Sequence, residues 1–302
     1  MATTDPVTDS SPSISGKPVH HDAATPAQPL PPHGPVTASL SFYTPPSDGS
    51  APYNYVEPQP AGHPQRNYTD TVIPVPLTDI RGRESEFTLD ADAFAAISGV
   101  PAASPAVDFS DDQQIRTTYY AEVEGVVRAA LPGATRIEIF DHTVRRSQPG
   151  AARAPVSRVH IDQTARSAAE RVRLHLPAAD AAALLRSARY RVLNVWRALN
   201  PPVHSPPLAF ASARSVAPAD VVPVQHRYPA RVGETAGVRF GAAQRWFYWS
   251  GMGEGERLLL LCFDSEGGGG RRVPHSAFED PRVGEGAPRR DSIEVRMLVF
   301  GG

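Results

Sequence analysis

Seven short segments, each cut off by a glycine- or proline-rich turn, constrain this chain more than any other feature. They are TRIEIFDHTVR (135–145), SRVHID (157–162), RYRVLNVWRAL (189–199), PLAFASARSV (207–216), QRWFYWS (244–250), RLLLLCF (257–263) and DSIEVRMLVF (291–300). Successive side chains on a strand point to opposite faces, so such segments bury a face only against one another. Short strands at this spacing predict a barrel or a jelly roll. Helices pack outside it. Over residues 110–131, Ile115, Tyr119, Val123, Val126, Val127 and Ala130 recur near a period of 3.6, with Ser110 or Asp111 as N-cap and Pro132-Gly133 as stop. A second helical stretch covers residues 163–188 and breaks near Pro177. The expected class is mainly β with flanking helices (α+β).

Composition sets the boundaries. Residues 1–50 are rich in Pro, Ser, Thr and Ala and poor in large apolar side chains, so they read as a disordered tail, and residues 51–302 as one domain. His20-His21 falls in the tail and reads as solvated. A net charge of -2 over 302 residues gives no pull toward nucleic acid. The longest apolar run, Leu258 to Phe263, is far short of the ~20 residues of a membrane span, and the N-terminus lacks a signal-peptide core, so neither membrane nor secretion is expected and the chain reads as cytoplasmic. With one cysteine, Cys262, an internal disulfide or a cysteine-built metal site is excluded, leaving His and carboxylate as metal ligands.

In SRVHID the strand period puts His160 and Asp162 on one face, sterically ready to take two adjacent positions on a metal. His275, in RRVPHSAF after the glycine run, supplies the distant third ligand that a 2-His-1-carboxylate triad requires. On the last strand, alternation aligns Arg290, Ser292, Glu294 and Arg296. Two arginines and a hydroxyl on one face make a carboxylate clamp, which either Arg290 or Arg296 could centre. Tyr190, Asn194 and Trp196 share a face of the long central strand and are candidates to line a pocket, Tyr190 also to hydrogen-bond a carboxylate; a core Trp is the plainer reading of Trp196. His142 reads as a packed or hydrogen-bonded histidine, and WFYWSGM as either a substrate wall or core.

H-x-D on a strand, a distal His after a turn and R-x-S on the next strand is the order of a double-stranded β-helix dioxygenase, and the sequence resembles the 2-oxoglutarate-dependent oxygenase superfamily. Within it, the blocks IFDHTVR (139–145), VHIDQT (159–164), YRVLNVWRALNPPV (190–203), PLAFASARSV (207–216), FYWSGM (247–252), FDSE (263–266), VPHSAFEDP (273–281) and RRDSIEVR (289–296) look like the family that groups the bacterial cephamycin C-7 methoxylase hydroxylase component with fungal gibberellin-desaturase-like proteins.

The resemblance implies a double-stranded β-helix (jelly-roll, cupin-like) core, Fe(II) on His160, Asp162 and His275, and 2-oxoglutarate as co-substrate with O2. It further implies Arg290 on the distal carboxylate of 2-oxoglutarate, Ser292 assisting, and Arg296 as second candidate. The expected activity is hydroxylation, desaturation or ring closure at an unactivated C–H bond of a small specialised metabolite, such as a β-lactam or a modified amino acid, alongside a partner enzyme of the same pathway. Two rivals stand beside it: a non-catalytic cupin-like binding module, and a zinc-dependent hydrolase on the same three residues, which would leave the arginine clamp without a role.

Overall fold

The computed structural model describes Met1 and residues 30–101 and 106–302 of the chain. The strands form two sheets. In the nine-stranded sheet the order is β1 (Val36–Thr44), β3 (Thr69–Asp79), β11 (Trp246–Tyr248), β8 (Leu208–Ala211), β13 (His275–Ala277), β6 (His160–Ile161), β10 (Val232–Val238), β9 (Val221–Arg227) and β2 (Tyr53–Tyr55). The five-stranded sheet runs β4 (Phe94–Ile97), β12 (Arg257–Asp264), β7 (Tyr190–Ala198), β14 (Ser292–Gly301) and β5 (Ala134–Arg145). Within the five-stranded sheet every pair is antiparallel.

The sheets are joined by an apolar core between them, in which Phe94 of β4 meets Phe210 of β8 with ring centroids 4.6 Å apart. Every residue of β7 and β12 is buried, which explains why RLLLLCF reads as an unbroken apolar run: both faces of that sheet are covered. On its outer side Val123 and Val127 of the helix Tyr120–Ala130 join Leu193, Val195, Leu259 and Leu261 in one cluster. Asp111 caps the helical segment as expected, accepting from the N–H groups of Gln113 and Gln114, though Ile115–Tyr119 forms a π turn inside it. The second helical stretch divides at Pro177 into Ala165–His175 and Ala178–Ser187, because proline lacks the N–H that would continue the first helix.

The boundary expected at residue 50 is corrected. Val36–Thr44 is a full strand in register with Thr69–Leu77, and Leu40 and Phe42 are buried in the core. The Pro-rich flanks hid it, yet VTASLSF alternates with period two. His20-His21 lies outside the described residues. Several strands that the sequence reading passed over, among them β3, β9 and β10, are short on large apolar side chains and rich in Pro, Gly or polar residues. Among the described residues no helix is long and apolar enough to cross a membrane.

Candidate metal centre and its cavity

β6 and β13 are neighbours, and His275 pairs with His160 across their antiparallel register. The two imidazoles therefore leave the same sheet face side by side, with centroids 4.4 Å apart. Each ring is aimed by its own strand: Nδ1 of His160 donates to the Arg158 carbonyl (2.8 Å) and Nδ1 of His275 to the Val273 carbonyl (3.1 Å). Since a carbonyl only accepts, Nδ1 carries the proton in both rings and Nε2 keeps its lone pair. Asp162 brings Oδ1 to 3.3 Å from Nε2 of His160 and 3.9 Å from Nε2 of His275. The three ligand atoms lie within 4.8 Å of one another. Three lone pairs converging on one point repel unless a cation sits among them, and two imidazoles with one carboxylate suit a divalent first-row metal, leaving its other face open.

The second carboxylate oxygen of Asp162 is anchored from the facing sheet. Asn194 Nδ2 donates to Oδ2 at 2.8 Å and Arg296 Nε at 3.3 Å. The register explains why these two act together, because Asn194 and Arg296 are cross-strand partners on β7 and β14. Arg296 also pairs with Glu294 (2.9 Å) and Asp141 (2.7 Å) and donates to Thr143 Oγ1 (3.1 Å). Burial alone would raise the Asp162 carboxyl, but the polar groups around it, the Arg296 guanidinium among them, outweigh it and hold it well below the usual carboxylate range. Burial lowers His275, and the neighbouring His160 lowers it further, which keeps the ring neutral.

Arg290 differs in every respect. It sits just ahead of β14, with its backbone N–H on the Ser205 carbonyl (2.9 Å), and is 2 % exposed. Its guanidinium lies 5.1 Å from the centroid of the Trp196 ring, and Nε and Nη1 have no hydrogen-bond partner among the described residues. Burial, with the charge of Arg145 nearby, pushes it down to about 9. Ser292 is buried two residues further on. An unpartnered buried guanidinium is costly unless an anion completes it.

Several expectations change here. Arg296 is saturated by four partners, so it holds Asp162 and is not free to clamp a ligand. Asn194 likewise orients a ligand-bearing carboxylate. Tyr190, four residues back along β7 and so ~13 Å away, packs between Phe263 and Phe300, remote from the triad. The WFYWSGM aromatics are core: Trp246, Tyr248 and Trp249 are fully buried. His142 is hydrogen-bonded as expected, between Tyr120 Oη (2.8 Å) and Asp112 (3.3 Å).

A cavity of about 360 Å³ opens on His160 and Asp162 of the triad, its walls also including Gln163, His226, Tyr228 and Arg145. Arg153, Arg158, Arg171 and Arg296 also face it. His226, bonded to Thr235 Oγ1 (3.1 Å), is pushed down to about 4 by burial and by His160. The sequence reading missed Asp141, Glu294 as a partner of Arg296, His226 and most of the wall arginines. Only the H-R pair at 226–227 on an alternating stretch could have flagged any of them.

A family model described as "Oxidoreductase/YMDC permease-like domain" matches residues 40–300. The hydroxylase/desaturase poxK of Penicillium oxalicum is 36% identical over 305 residues, covering 90% of this chain and 93% of that one. The Fe(II)/2-oxoglutarate-dependent dioxygenase nvfI of Aspergillus novofumigatus is 34% identical over 256 residues, covering 83% and 91%. The chain belongs to this family of Fe(II)/2-oxoglutarate-dependent dioxygenases. Among solved structures, the iron and alpha-ketoglutarate-dependent endoperoxidase NvfI superposes with a TM-score of 0.78 at 30% identity, over 89% of this chain and 99% of that one. The dioxygenase is thus an oxidoreductase that uses Fe(II), 2-oxoglutarate and O2, on a jelly-roll core. The hydrolase and the non-catalytic binding module give way to it.

Proposed function

We propose that this dioxygenase holds one iron on His160 Nε2, Asp162 Oδ1 and His275 Nε2, grips the distal carboxylate of 2-oxoglutarate with Arg290, and oxidises an unactivated C–H bond of a small specialised metabolite in the cavity beside them. The observation that carries this reading is the convergence of three metal-binding lone pairs in a fold where the buried Arg290 guanidinium leaves Nε and Nη1 without a hydrogen-bond partner among the described residues. The donor set fits iron: the carbonyls of Arg158 and Val273 fix both rings in one tautomer, and Asn194 and Arg296 leave Asp162 a single oxygen to offer. When bound, iron and 2-oxoglutarate supply an oxidant able to remove hydrogen from carbon, and the protein supplies position and exclusion of water. Arg290, its guanidinium over the Trp196 ring, would hold the distal carboxylate of 2-oxoglutarate and so set its direction, with the buried Ser292 assisting. The cavity walls decide which carbon faces the metal, and with it the choice among hydroxylation, desaturation and ring closure. A single buried thiol, Cys262, and no disulfide suit a reducing compartment, and we place the enzyme in the cytoplasm, alongside a partner enzyme of its pathway.

The test is anaerobic. Addition of 2-oxoglutarate to the Fe(II) protein is expected to produce a metal-to-ligand charge-transfer band, and His160→Ala, Asp162→Ala and His275→Ala are each expected to abolish it. A variant that keeps both the band and succinate formation refutes the ligand assignment.

A further inference from the structure

The cavity beside the triad carries far more positive charge than iron and 2-oxoglutarate require. Five arginines face it, with Asp162 as the one carboxylate on its walls. Arg296 is neutralised within the protein by Glu294, Asp141 and Asp162, and Arg158 shares the Asp70 carboxylate with Arg66. Arg145, Arg153 and Arg171 form no ion pair among the described residues: Arg145 donates to the Ala154 carbonyl (3.0 Å), and Arg171 lies 5.1 Å from the Phe140 ring centroid. Burial holds both the Arg145 and the Arg171 guanidinium below the usual arginine range. For the partly buried Arg145 and Arg171, uncompensated charge is unfavourable to the empty fold and becomes favourable when an anion enters, while Arg153 is exposed and adds its charge from the solvent side of the cavity. 2-Oxoglutarate brings two carboxylates, one for the metal and one for Arg290, which leaves three arginines without an anion.

We propose that the primary substrate is itself an anion, a small amphiphile whose carboxylate or phosphate is held by Arg145, Arg153 and Arg171. Its apolar body lies against Val56, Val156, Val224 and Ala236, which line the same cavity. A cavity of about 360 Å³ sits at the small end of ligand sites, so the substrate is compact. Planar guanidinium groups match either oxyanion in bidentate geometry. The inference rests on the reading of this cavity as the substrate site of an iron enzyme.

The experiment titrates octanoate, octyl phosphate and the neutral octanamide into anaerobic protein loaded with Fe(II) and 2-oxoglutarate, followed by calorimetry. At least one anion is expected to bind roughly tenfold or more tightly than octanamide, the worth of one charge-assisted contact. The tighter of the two identifies carboxylate or phosphate. Arg153→Gln and Arg171→Gln are each expected to weaken that anion by about tenfold and leave octanamide unchanged. Equal binding of anion and amide overturns the proposal, as does an absence of anion binding at millimolar concentration. So does an Arg145→Gln variant that loses the 2-oxoglutarate charge-transfer band while its octanoate affinity stays intact, because the cationic wall would then serve the co-substrate. A parent protein in which the band never forms refutes the iron reading instead, before any probe is added.

Discussion

Replacing Arg290 by leucine is expected to stabilise the ligand-free protein and to cripple it as a 2-oxoglutarate binder. The guanidinium is 2 % exposed, Nε and Nη1 lack partners among the described residues, and burial pushes its pKa from the usual arginine range down to about 9. At 1.36 kcal/mol per pH unit this amounts to about 5 kcal/mol against the charged form in the fold. The sign follows from linkage: a base depressed in the folded state is charged in both states at pH 7, so the whole penalty is present there and fades only as pH rises past about 9. Leucine removes that penalty but also the stacking on Trp196, so we expect a net gain of about 1–4 kcal/mol and a melting temperature several degrees higher. With 2-oxoglutarate the balance reverses. Loss of a buried bidentate contact, leaving the ligand carboxylate unpaired, costs about 2–5 kcal/mol, or at least ~30-fold in affinity. Lysine in its place should recover only part, since it offers a point charge where a planar fork is needed. Differential scanning fluorimetry of the apoprotein and an anaerobic titration of the charge-transfer band measure the two halves. A variant that melts below the parent and binds 2-oxoglutarate as the parent does would refute the reasoning.

Asn194→Ala frees Oδ2 of Asp162 from its 2.8 Å anchor, so Fe(II) affinity should fall about 10–100-fold while 2-oxoglutarate binding to the metal-loaded protein changes little, as read by anaerobic Fe(II) titration. Arg296→Leu should reduce Fe(II) affinity in the same way and also destabilise the fold, because Asp141, Glu294 and Asp162 lose their shared cation; an Arg296→Leu protein that binds iron normally but not 2-oxoglutarate would reverse the assignment of the two arginines. His226, lowered to about 4, stays neutral in the fold while the unfolded chain takes up its proton near 6.5, so apoprotein stability should fall by about 3 kcal/mol as pH drops from 6.5 toward 4, and His226→Gln should flatten that slope in urea titrations. Deletion through Thr44 removes β1 with the buried Leu40 and Phe42 and should abolish cooperative unfolding by circular dichroism.

How much of this was legible beforehand depends on the range of the interactions. His160 and Asp162 could be paired from the sequence because a strand repeats every two residues, and the helix at 110–131 because its apolar spacing is local. Five of the seven expected strands appear within a residue or two of their expected ends. SRVHID instead keeps only His160–Ile161 as strand, and PLAFASARSV ends as a strand at Ala211 before a 3-10 helix at Ala213–Ser215. That His275 would meet His160 followed only from the likeness to a known arrangement; the register of β13 on β6 is what brings them to 4.4 Å. Periodicity could not divide the labour between Arg290 and Arg296; only the likeness to a known family favoured Arg290. Both lie on one face of one segment, and alternation treats them alike. What separates them is what each faces: β5 presents Asp141 and Thr143 to Arg296, and the end of β6 delivers Asp162, while Arg290 meets a Trp ring and forms no ion pair among the described residues. The same holds for the cationic wall, which gathers arginines from β5, a loop, a helix and β14. Periodicity fixes which way a side chain points from its own element, and only packing decides which charges it finds there.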